Sequence, residues 1–195
     1  MARDRQPVLK RCRNLGLDPI VLGVNKKSNR NIRPNANRKL TEYGIQLREK
    51  QRARFVYGVQ EKQFYKLYEE ATRKEGVTGE LLLQYLERRL DNVIYRLGFG
   101  ATRRQARQIV SHGHILINGK RVNIASYRVK QGDVITVKED SKELALIKES
   151  VGQKTVPGWL SLEEGALTAK VLENPGRDAV DFEVDEAMII EFYSR

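Results

Sequence analysis

Residues 86–137, LERRLDNVIYRLGFGATRRQARQIVSHGHILINGKRVNIASYRVKQGDVITV, decide the fold of this chain. Apolar residues recur there at the three- and four-residue spacing of one helix face, which predicts a helix that ends at Gly98. Its apolar stripe consists of Leu86, Leu90, Val93, Ile94 and Leu97. After the turn at 98–100 we expect a second helix, because the Thr102 hydroxyl can cap its start and Gly113 can end it.

The predicted second helix carries a cluster of arginines. Its buried stripe is formed by Ala106, Ile109 and Val110. Arg107 lies four residues after Arg103 and three after Arg104, so we expect all three guanidinium groups to project from the side opposite the core. Because three cations on one face repel each other unless an anion lies across them, this face is a candidate site for an anionic ligand.

We expect a β-hairpin directly after this helix. Residues 115–117 form an apolar strand, and Asn118-Gly119 is the pair best suited to the positive φ angles of a two-residue turn. The return strand begins at Lys120. The hairpin therefore places Asn118, Lys120 and Arg121 at a tip near the arginine-rich helix.

Positive charge is concentrated in two blocks of the chain. Between Arg88 and Lys130 there are ten Lys plus Arg and one acid, Asp91. Residues 1–54 contain 15 Lys plus Arg and 4 acids, whereas residues 131–195 contain 7 and 14. Two basic blocks of this kind fit a phosphate backbone, and the acidic C-terminal third cannot bind nucleic acid by charge.

Several strings of residues carry a resemblance to a known family. The run ARQIVSHGHILINGKRV at 106–122 and the closing GDVI at 132–135 resemble the S4 RNA-binding module. LREKQ at 47–51, RLDNVIYRLGF at 89–99 and IIEFYSR at the C-terminal end are similar to the bacterial-type ribosomal protein S4 family of the small ribosomal subunit. The resemblance covers nearly all of the chain and is most specific after the first 46 residues.

The resemblance implies a structural constituent of the small ribosomal subunit, not an enzyme. Such a protein would be a primary ribosomal RNA-binding protein that clamps a multi-helix junction in the 5′ region of small-subunit ribosomal RNA. It would contribute to subunit assembly, to the channel through which messenger RNA enters and to decoding accuracy. Ribosomal RNA, ribosomal protein S5 and messenger RNA are the implied partners, in the cytoplasm within the ribosome. No cofactor, metal, membrane or small-molecule substrate is expected.

The N-terminal part of the chain fits this interpretation. MARDRQPVLK lacks the apolar core of a signal peptide, and no run approaches 18 apolar residues, which predicts a soluble cytosolic protein. Some members of the resembled family carry a four-cysteine zinc site near the N terminus. Here Cys12 is the only cysteine, so we interpret it as a small apolar core residue.

The elements together predict an α+β protein. A discontinuous, mainly helical domain is combined with a central RNA-binding module of short helices packed on a small antiparallel sheet. We expect residues 1–40 to be a basic, partly flexible extension. The helical domain is predicted at 41–87 plus 174–195, and the RNA-binding α/β domain at 88–173, with its core module at 88–150.

The flanking elements are predicted from their periodicity. A helix is expected at 41–58, capped by Thr41, with cations on several sides that would meet more than one partner surface. A second helix at 61–74 buries the stripe Phe64, Leu67, Tyr68 and Ala71. Later we expect a helix at 141–151. The final segment from Asp185 fits a helix better than a strand, and should return to the N-terminal helices.

Two further strands are expected between those segments. Residues 159–162 alternate weakly in hydropathy, and residues 168–172 form a second strand-like run after a turn. The two runs should therefore pair.

The candidate site residues are the cations and hydrogen-bonding groups of the two basic blocks. For RNA binding they are Arg3, Arg5, Lys10, Arg11, Arg13, Lys26, Lys27, Arg30, Arg33, Arg48, Lys50, Arg52, Arg54, Arg88, Arg103, Arg104, Arg107, His112, His114, Asn118, Lys120, Arg121, Arg128 and Lys130. Arg38 and Lys39 match basic positions that face the messenger path in the resembled family. An acidic segment, expected to face a basic neighbour with S5 as the candidate, comprises Asp181, Glu183, Asp185 and Glu186.

Catalytic interpretations lack the residues they need. His112 and His114 have no third metal ligand at a matching spacing, and either contact RNA or cap the preceding helix. Asp91 has no paired acid or nucleophile nearby, so we interpret it as forming a helix-surface ion pair or orienting a neighbour. There is neither a glycine-rich phosphate loop with its lysine nor a Gly-x-Ser-x-Gly elbow.

Two other protein classes share part of the pattern. RNA-modifying enzymes can carry the same module, but the residues after Lys130 are too few and too acidic for a catalytic domain. A helix-turn-helix DNA regulator would also place an arginine-rich helix after a turn. Recognition helices usually offer Asn, Gln or Ser to base edges, whereas this helix presents mainly phosphate binders.

Overall fold

A computed structural model describes residues 7–26, 40–163 and 165–194 of the 195-residue chain. Residues 1–6 and 27–39 of the expected basic extension at 1–40 lie outside these ranges. The described α-helices are α1 Val8–Leu15, α2 Glu42–Val56, α3 Glu61–Thr72, α4 Thr78–Glu87, α5 Leu90–Arg96, α6 Arg103–His112, α7 Glu139–Lys142, α8 Ala145–Lys148 and α9 Glu186–Tyr193. The strands are β1 Ile115–Ile117, β2 Lys120–Arg121, β3 Val134–Val137, β4 Leu160–Glu163 and β5 Thr168–Val171. Helices beside one small antiparallel sheet confirm the α+β prediction.

The chain divides into two compact units. The first contains Met1–Leu83 and Asp181–Arg195, and the second contains Gln84–Val180. The first unit is therefore built from two separate stretches of chain. No described helix is long and apolar enough to span a lipid bilayer.

In the first unit, the C-terminal helix α9 packs on α2. Helix α2 begins as predicted, because the Gly44 amide donates to the Thr41 hydroxyl at 3.2 Å. Asp185 caps the start of helix α9, because its carboxylate accepts from the Met188 amide at 3.2 Å. The Asp185 amide in turn donates to Glu49 of α2 at 3.4 Å. The last segment is thus a helix that returns to the N-terminal helices, as expected.

A polar cluster centred on Glu61 joins three helices of this unit. Lys50 lies 2.7 Å from the Glu61 carboxylate and also lies 4.2 Å above the Phe192 ring. The Tyr193 hydroxyl donates to Glu61 at 2.7 Å, and Arg54 approaches it at 3.2 Å. Burial would raise the pKa of Glu61, but the hydrogen bonds from Lys50 and Tyr193 outweigh it, and the pKa lies below its ordinary value.

The second unit packs short helices against a five-stranded antiparallel sheet of order β2-β1-β3-β5-β4. Its core is shared by α5, α6 and the inward-facing positions of the sheet. The central residues, all fully buried, are Leu90, Val93, Ile94, Phe99, Ala106, Val110, Ile115, Ile135 and Val137. β4 pairs with β5 as predicted. The predicted hairpin is also confirmed, because β1 pairs with β2 and the turn residues Asn118 and Gly119 have φ of 50° and 77°.

The single helix predicted through residues 86–97 is wrong, because the chain breaks into α4 and α5 at Arg89. Arg89 has extended backbone angles and pairs with Arg128 as an isolated β-bridge. The Leu90 amide donates to the Tyr127 carbonyl at 2.7 Å, and the Asp91 amide donates to the Ala125 carbonyl at 3.2 Å. These bonds satisfy donors that a helix N-terminus leaves free, so α5 restarts against a loop that is distant in sequence.

The helix predicted at 141–151 is replaced by two single turns, α7 and α8. Leu144 between them is extended, with ψ of 121°. Ser141 of α7 is buried within hydrogen-bonding distance of His114, whereas Ile147 of α8 lies in the core. Two different anchors therefore hold the two turns, and a continuous helix does not form.

The core role of Ile109 gives a stability prediction. Ile109 is 4 % exposed on the inner face of α6. Ile109→Ala should lower the unfolding free energy by about 2–5 kcal/mol through the cavity it leaves. Denaturant unfolding followed by circular dichroism measures the change. Gln108→Ala, at the exposed neighbouring position, is the control, and equal losses in the two variants would contradict the assignment of helix faces.

The Glu61 cluster predicts a dependence of stability on pH. Because the folded-state pKa of Glu61 is lowered, its contribution is present above its unfolded-state pKa and is lost as pH falls through the folded-state pKa. Glu61→Gln should lower stability at neutral pH and flatten the decline below about pH 4.3. Urea midpoints between about pH 3 and 7 test this, with Glu75→Gln, at an exposed position, as the control. A variant with the wild-type midpoint at pH 7 and the wild-type decline would contradict it.

Candidate nucleic-acid interface

Part of the predicted interface lies outside the described residues. The candidates there are Arg3, Arg5, Lys27, Arg30, Arg33, Arg38 and Lys39. Of the N-terminal candidates that are described, Lys10 and Lys26 are exposed. Arg11 lies 6.0 Å from the Phe55 ring centroid, and Arg13 donates to the Leu9 carbonyl at 3.4 Å.

The cations of α2 are used within the first unit. Lys50 has only 6 % of its side chain exposed, since it is covered by the Glu61 cluster. This corrects its expected place on a partner-facing surface. Arg52 pairs with Glu49 at 2.7 Å, and Arg48 donates to the Leu15 carbonyl at the end of α1 at 3.3 Å. Cations of α2 therefore bind groups of α1, α3 and α9 within the unit.

The arginines of α6 do not share one face, which corrects the sequence prediction. Arg104 is exposed, but Arg103 is only 7 % exposed. The Arg103 guanidinium donates to the Asn92 side chain at 3.0 Å and lies 4.3 Å from the Tyr95 ring centroid. The spacing of three and four residues makes the arginines neighbours on the helix. Arg103 nevertheless turns inward, because Asn92 on α5 is a buried hydrogen-bond acceptor.

Arg107 is also held inward, by Asp91. Its guanidinium lies 3.7 Å from the Asp91 carboxylate, and only 16 % of its side chain is exposed. Burial lowers the pKa of Arg107, and Asp91 opposes that effect. Asp91 itself binds Arg89 through two hydrogen bonds of 3.1 and 2.8 Å. The ion pair expected on the helix surface is thus a buried pair that holds two arginines.

A second buried network was missed at the sequence level. Glu87 accepts two hydrogen bonds from Arg96, at 3.0 and 2.7 Å, and one from Asn92 at 2.8 Å. Asn92 then accepts from Arg103, so the network connects α4, α5 and α6. Glu87 and Asn92 are polar residues inside an apolar helical run. That interruption of the apolar pattern could have indicated a buried polar network.

The hairpin tip is divided between structural and exposed groups. Asn118 donates to Asp133 at 2.9 Å and accepts from the Val134 amide at 2.9 Å. Asp133 also accepts from the Lys130 amide at 2.8 Å. Asn118 is therefore a structural residue that ties the turn to the Lys130 loop, whereas the Lys120 side chain is exposed.

Arg121 joins the hairpin to the end of α6. Its guanidinium donates to the carbonyls of Gly113 and His112, each at 3.1 Å. Gly113 has a φ of 77°, and a Cβ there would lie within 2.2 Å of the Arg121 side chain. The absence of a side chain at Gly113 is what lets the arginine reach the last carbonyls of the helix.

The two histidines have different roles. His112 is exposed, and its ring centroid lies 5.9 Å from that of His114. His114 Nδ1 lies 2.9 Å from the Ser141 hydroxyl. Burial, followed by the charges of His112, Arg121 and Lys138, lowers the pKa of His114, so it is neutral at neutral pH. The described residues contain no group of three or more His, Cys, Asp or Glu that could hold a metal ion.

The remaining cations lie at the start of α5 and in the loop before β3. Arg88 donates to the Val129 carbonyl at 2.8 Å, and burial followed by the charge of Arg128 lowers its pKa. Arg128 lies 4.8 Å from the Tyr85 ring centroid. Lys130 is exposed.

An exposed basic edge remains when the inward-facing arginines are set aside. It consists of Arg104, His112, Lys120, Arg121 and Lys130. Arg121 links β2 to the end of α6, and Asp133 links the hairpin turn to the Lys130 loop. These bonds connect His112, Lys120, Arg121 and Lys130, whereas Arg104 lies at the other end of α6, and the inner charges of the scaffold are paired. Such an arrangement suits phosphate binding.

The sequence matches two family models and several known proteins. The S4 domain model matches residues 88–135, and the model for the ribosomal protein S4/S9 N-terminal domain matches residues 3–87. A Fusobacterium nucleatum protein named small ribosomal subunit protein uS4 is 65% identical over 195 residues, covering all of both chains. Proteins of the same name from Lachnospira eligens and Dictyoglomus turgidum are 54% and 49% identical over 198 and 208 residues, again covering all of both chains.

Identity of this extent over the whole of both aligned sequences establishes the family and confirms the resemblance drawn from the sequence. It also rules out the two competing classes, because the family consists of structural RNA-binding proteins and not of RNA-modifying enzymes or DNA regulators. Location in the cytoplasm within the ribosome follows from the same membership. The chain belongs to the uS4 family of small ribosomal subunit proteins.

Proposed function

We propose that the protein binds small-subunit ribosomal RNA through the basic edge and clamps a multi-helix junction in the 5′ region of that RNA. The action is passive: exposed cations contact phosphates of several RNA helices and hold them in one arrangement, with no turnover. By this clamping the protein contributes to subunit assembly.

The observation that carries this proposal is the separation of paired and exposed charge in the second unit. No Asp or Glu occurs between Asp91 and Asp133 in the sequence. Asp91 and Glu87 pair with arginines below the surface, so those charges fix the scaffold. The exposed cations of the edge face solvent, and residues 92–132 supply no acid to pair with them. This favours a polyanion as the ligand.

The proposal extends to two further surfaces. In the resembled family, basic positions matching Arg38 and Lys39 face the messenger path, and we assign these two residues the same role near the channel through which messenger RNA enters. The acidic segment is assigned to a basic neighbouring protein, with S5 as the candidate and decoding accuracy as the property affected. Asp181 and Glu183 of that segment are exposed. Crosslinks from these two residues that reached only RNA would contradict the second assignment.

In that segment, Asp185 and Glu186 also have roles inside the first unit. Asp185 caps α9, and the Glu186 side chain packs against Gly79, where a Cβ would come within 2.7 Å of it. The proposed protein contact therefore depends mainly on the two preceding acids.

Binding through phosphates predicts a strong dependence on salt. If the basic edge and the cations of residues 1–54 together neutralise six to ten phosphates, affinity should fall by about a thousandfold or more between roughly 50 and 200 mM monovalent salt. Filter binding to a transcript of the 5′ region of small-subunit ribosomal RNA measures this, with duplex DNA as the competitor. A nearly flat response, or equal competition by duplex DNA, would contradict the proposal.

The two neighbouring arginines of α6 give a matched pair of variants. Arg104→Ala should weaken RNA binding and reduce the salt slope by about one, with unchanged melting temperature, because it removes an exposed charge. Arg103→Ala should instead destabilise the fold by about 1–3 kcal/mol, since Asn92 loses a charged hydrogen-bond partner. Gln108→Ala should change neither property. A lower stability of Arg104→Ala, or an unchanged stability of Arg103→Ala, would show that the two faces of the helix are assigned wrongly.

A further inference from the structure

We propose that Lys154, in the acidic C-terminal third, is a positioning residue for the arginine-rich helix α6, and hence for RNA binding by the basic edge. This inference rests on the proposed function. Lys154 Nζ donates to the carbonyls of Gly100 and Ala101 at 2.9 and 3.1 Å, and lies 3.4 Å from that of Tyr95. All three acceptors lie in the last part of α5 or in the turn that leads into α6.

The turn at 98–102, to which Lys154 donates hydrogen bonds, determines where α6 starts. A Cβ on Gly100 would come within 2.8 Å of the Ala106 amide nitrogen, so the turn lies directly on the first turn of the helix. The Ala101 amide donates to the Gln105 side chain at 2.9 Å, and the Thr102 hydroxyl caps the helix. A cation that fixes the carbonyls of Gly100 and Ala101 therefore fixes the direction in which α6 leaves the turn.

Tyr95 extends the link from Lys154 to an arginine. Lys154 Nζ lies 3.4 Å from the centroid of the Tyr95 ring, and the guanidinium carbon of Arg103 lies 4.3 Å from the same centroid. Tyr95 is 5 % exposed, so both cation–ring contacts are shielded from water. The ring thus couples Lys154 to the first residue of α6.

Direct phosphate binding by Lys154 does not fit these contacts. An ammonium group has three donors, and the three carbonyls together with the ring occupy the space around it. Lys154 acts instead by holding α6 in its binding orientation before RNA arrives, which lowers the ordering cost of association. A region too acidic to bind RNA by charge contributes to affinity in this way.

The test compares three substitutions in the full chain. Lys154→Met removes the charge and donors but keeps an unbranched side chain, and Lys154→Arg keeps a cationic donor. Lys148→Met removes an equal charge from the same region, where the lysine is 54 % exposed and pairs with Glu143. Affinity for the transcript of the 5′ region is measured over a range of salt, and hydrogen exchange is followed at the amides of Arg104, Gln105 and Ala106.

Lys154→Met should bind about tenfold more weakly at fixed salt, the size of effect expected from one lost charge-assisted hydrogen bond. Its salt slope should match that of the wild type because no phosphate contact is lost, and exchange at the start of α6 should be faster. Lys154→Arg should recover most of the affinity, and Lys148→Met should leave affinity and exchange unchanged.

Three results would overturn the inference: unchanged affinity of Lys154→Met, a salt slope reduced by about one, or an equal effect of Lys148→Met. If Lys154→Met does not fold, Lys154→Gln, which keeps a donor without the charge, takes its place, and wild-type affinity in that variant also overturns it. Failure of the wild-type protein to bind the transcript would instead refute the proposed function.

Discussion

The buried carboxylate of Glu87 is the constraint on which the second unit depends. Glu87 has no solvent exposure, so its charge is tolerable only because Arg96 and Asn92 direct hydrogen bonds to it. Arg96 also donates to the Ala179 carbonyl at 2.9 Å, which ties in the far end of the unit. Removing one partner of a buried pair typically costs about 3–5 kcal/mol, because a charge is left without compensation. The network therefore accepts few alternative arrangements of α4, α5 and α6.

The arginines of this unit consequently form two populations with different roles. Arg89, Arg96 and Arg103 are buried and bound to side chains of α4 or α5, where they behave as parts of the core. Arg104 and Arg121 are exposed: Arg104 follows the buried Arg103 in α6, and Arg121 is held by the carbonyls of Gly113 and His112. A chain that needs a rigid, positive surface obtains both properties from one residue type, because the guanidinium group is always charged and its planar donors suit buried acceptors.

Local signals in the sequence predicted much of the fold. The Asn118-Gly119 turn, the Thr41 and Thr102 caps and the pairing of β4 with β5 followed from short-range rules and are confirmed. The same rules failed where a distant partner decides. The break at Arg89 exists because its backbone pairs with Arg128, and no periodicity in residues 86–97 reveals a bridge 39 residues away.

The candidate site was predictable in its composition but not in its orientation. Helical spacing correctly made Arg103, Arg104 and Arg107 neighbours, but could not show that Asn92 and Asp91 turn two of them inward. The orientation of Lys50 in the first unit was equally unpredictable from sequence. The lysine was expected to bind a ligand, but it contacts Glu61 and the Phe192 ring of α9. A count of cations in the sequence thus overstates the number that can reach RNA.

The hydrogen bonds of Arg121 have a consequence for the electrostatic potential of the basic edge. An α-helix carries about half a negative charge at its C-terminal end, where the last carbonyls lack partners. In α6 that end lies at His112 and Gly113, beside the hairpin, where it would repel phosphates. Arg121 covers those two carbonyls with its guanidinium group and still contributes its own positive charge. The positive charge of Arg121 outweighs the partial negative charge of the α6 macrodipole there, so the end of the helix remains attractive to phosphates.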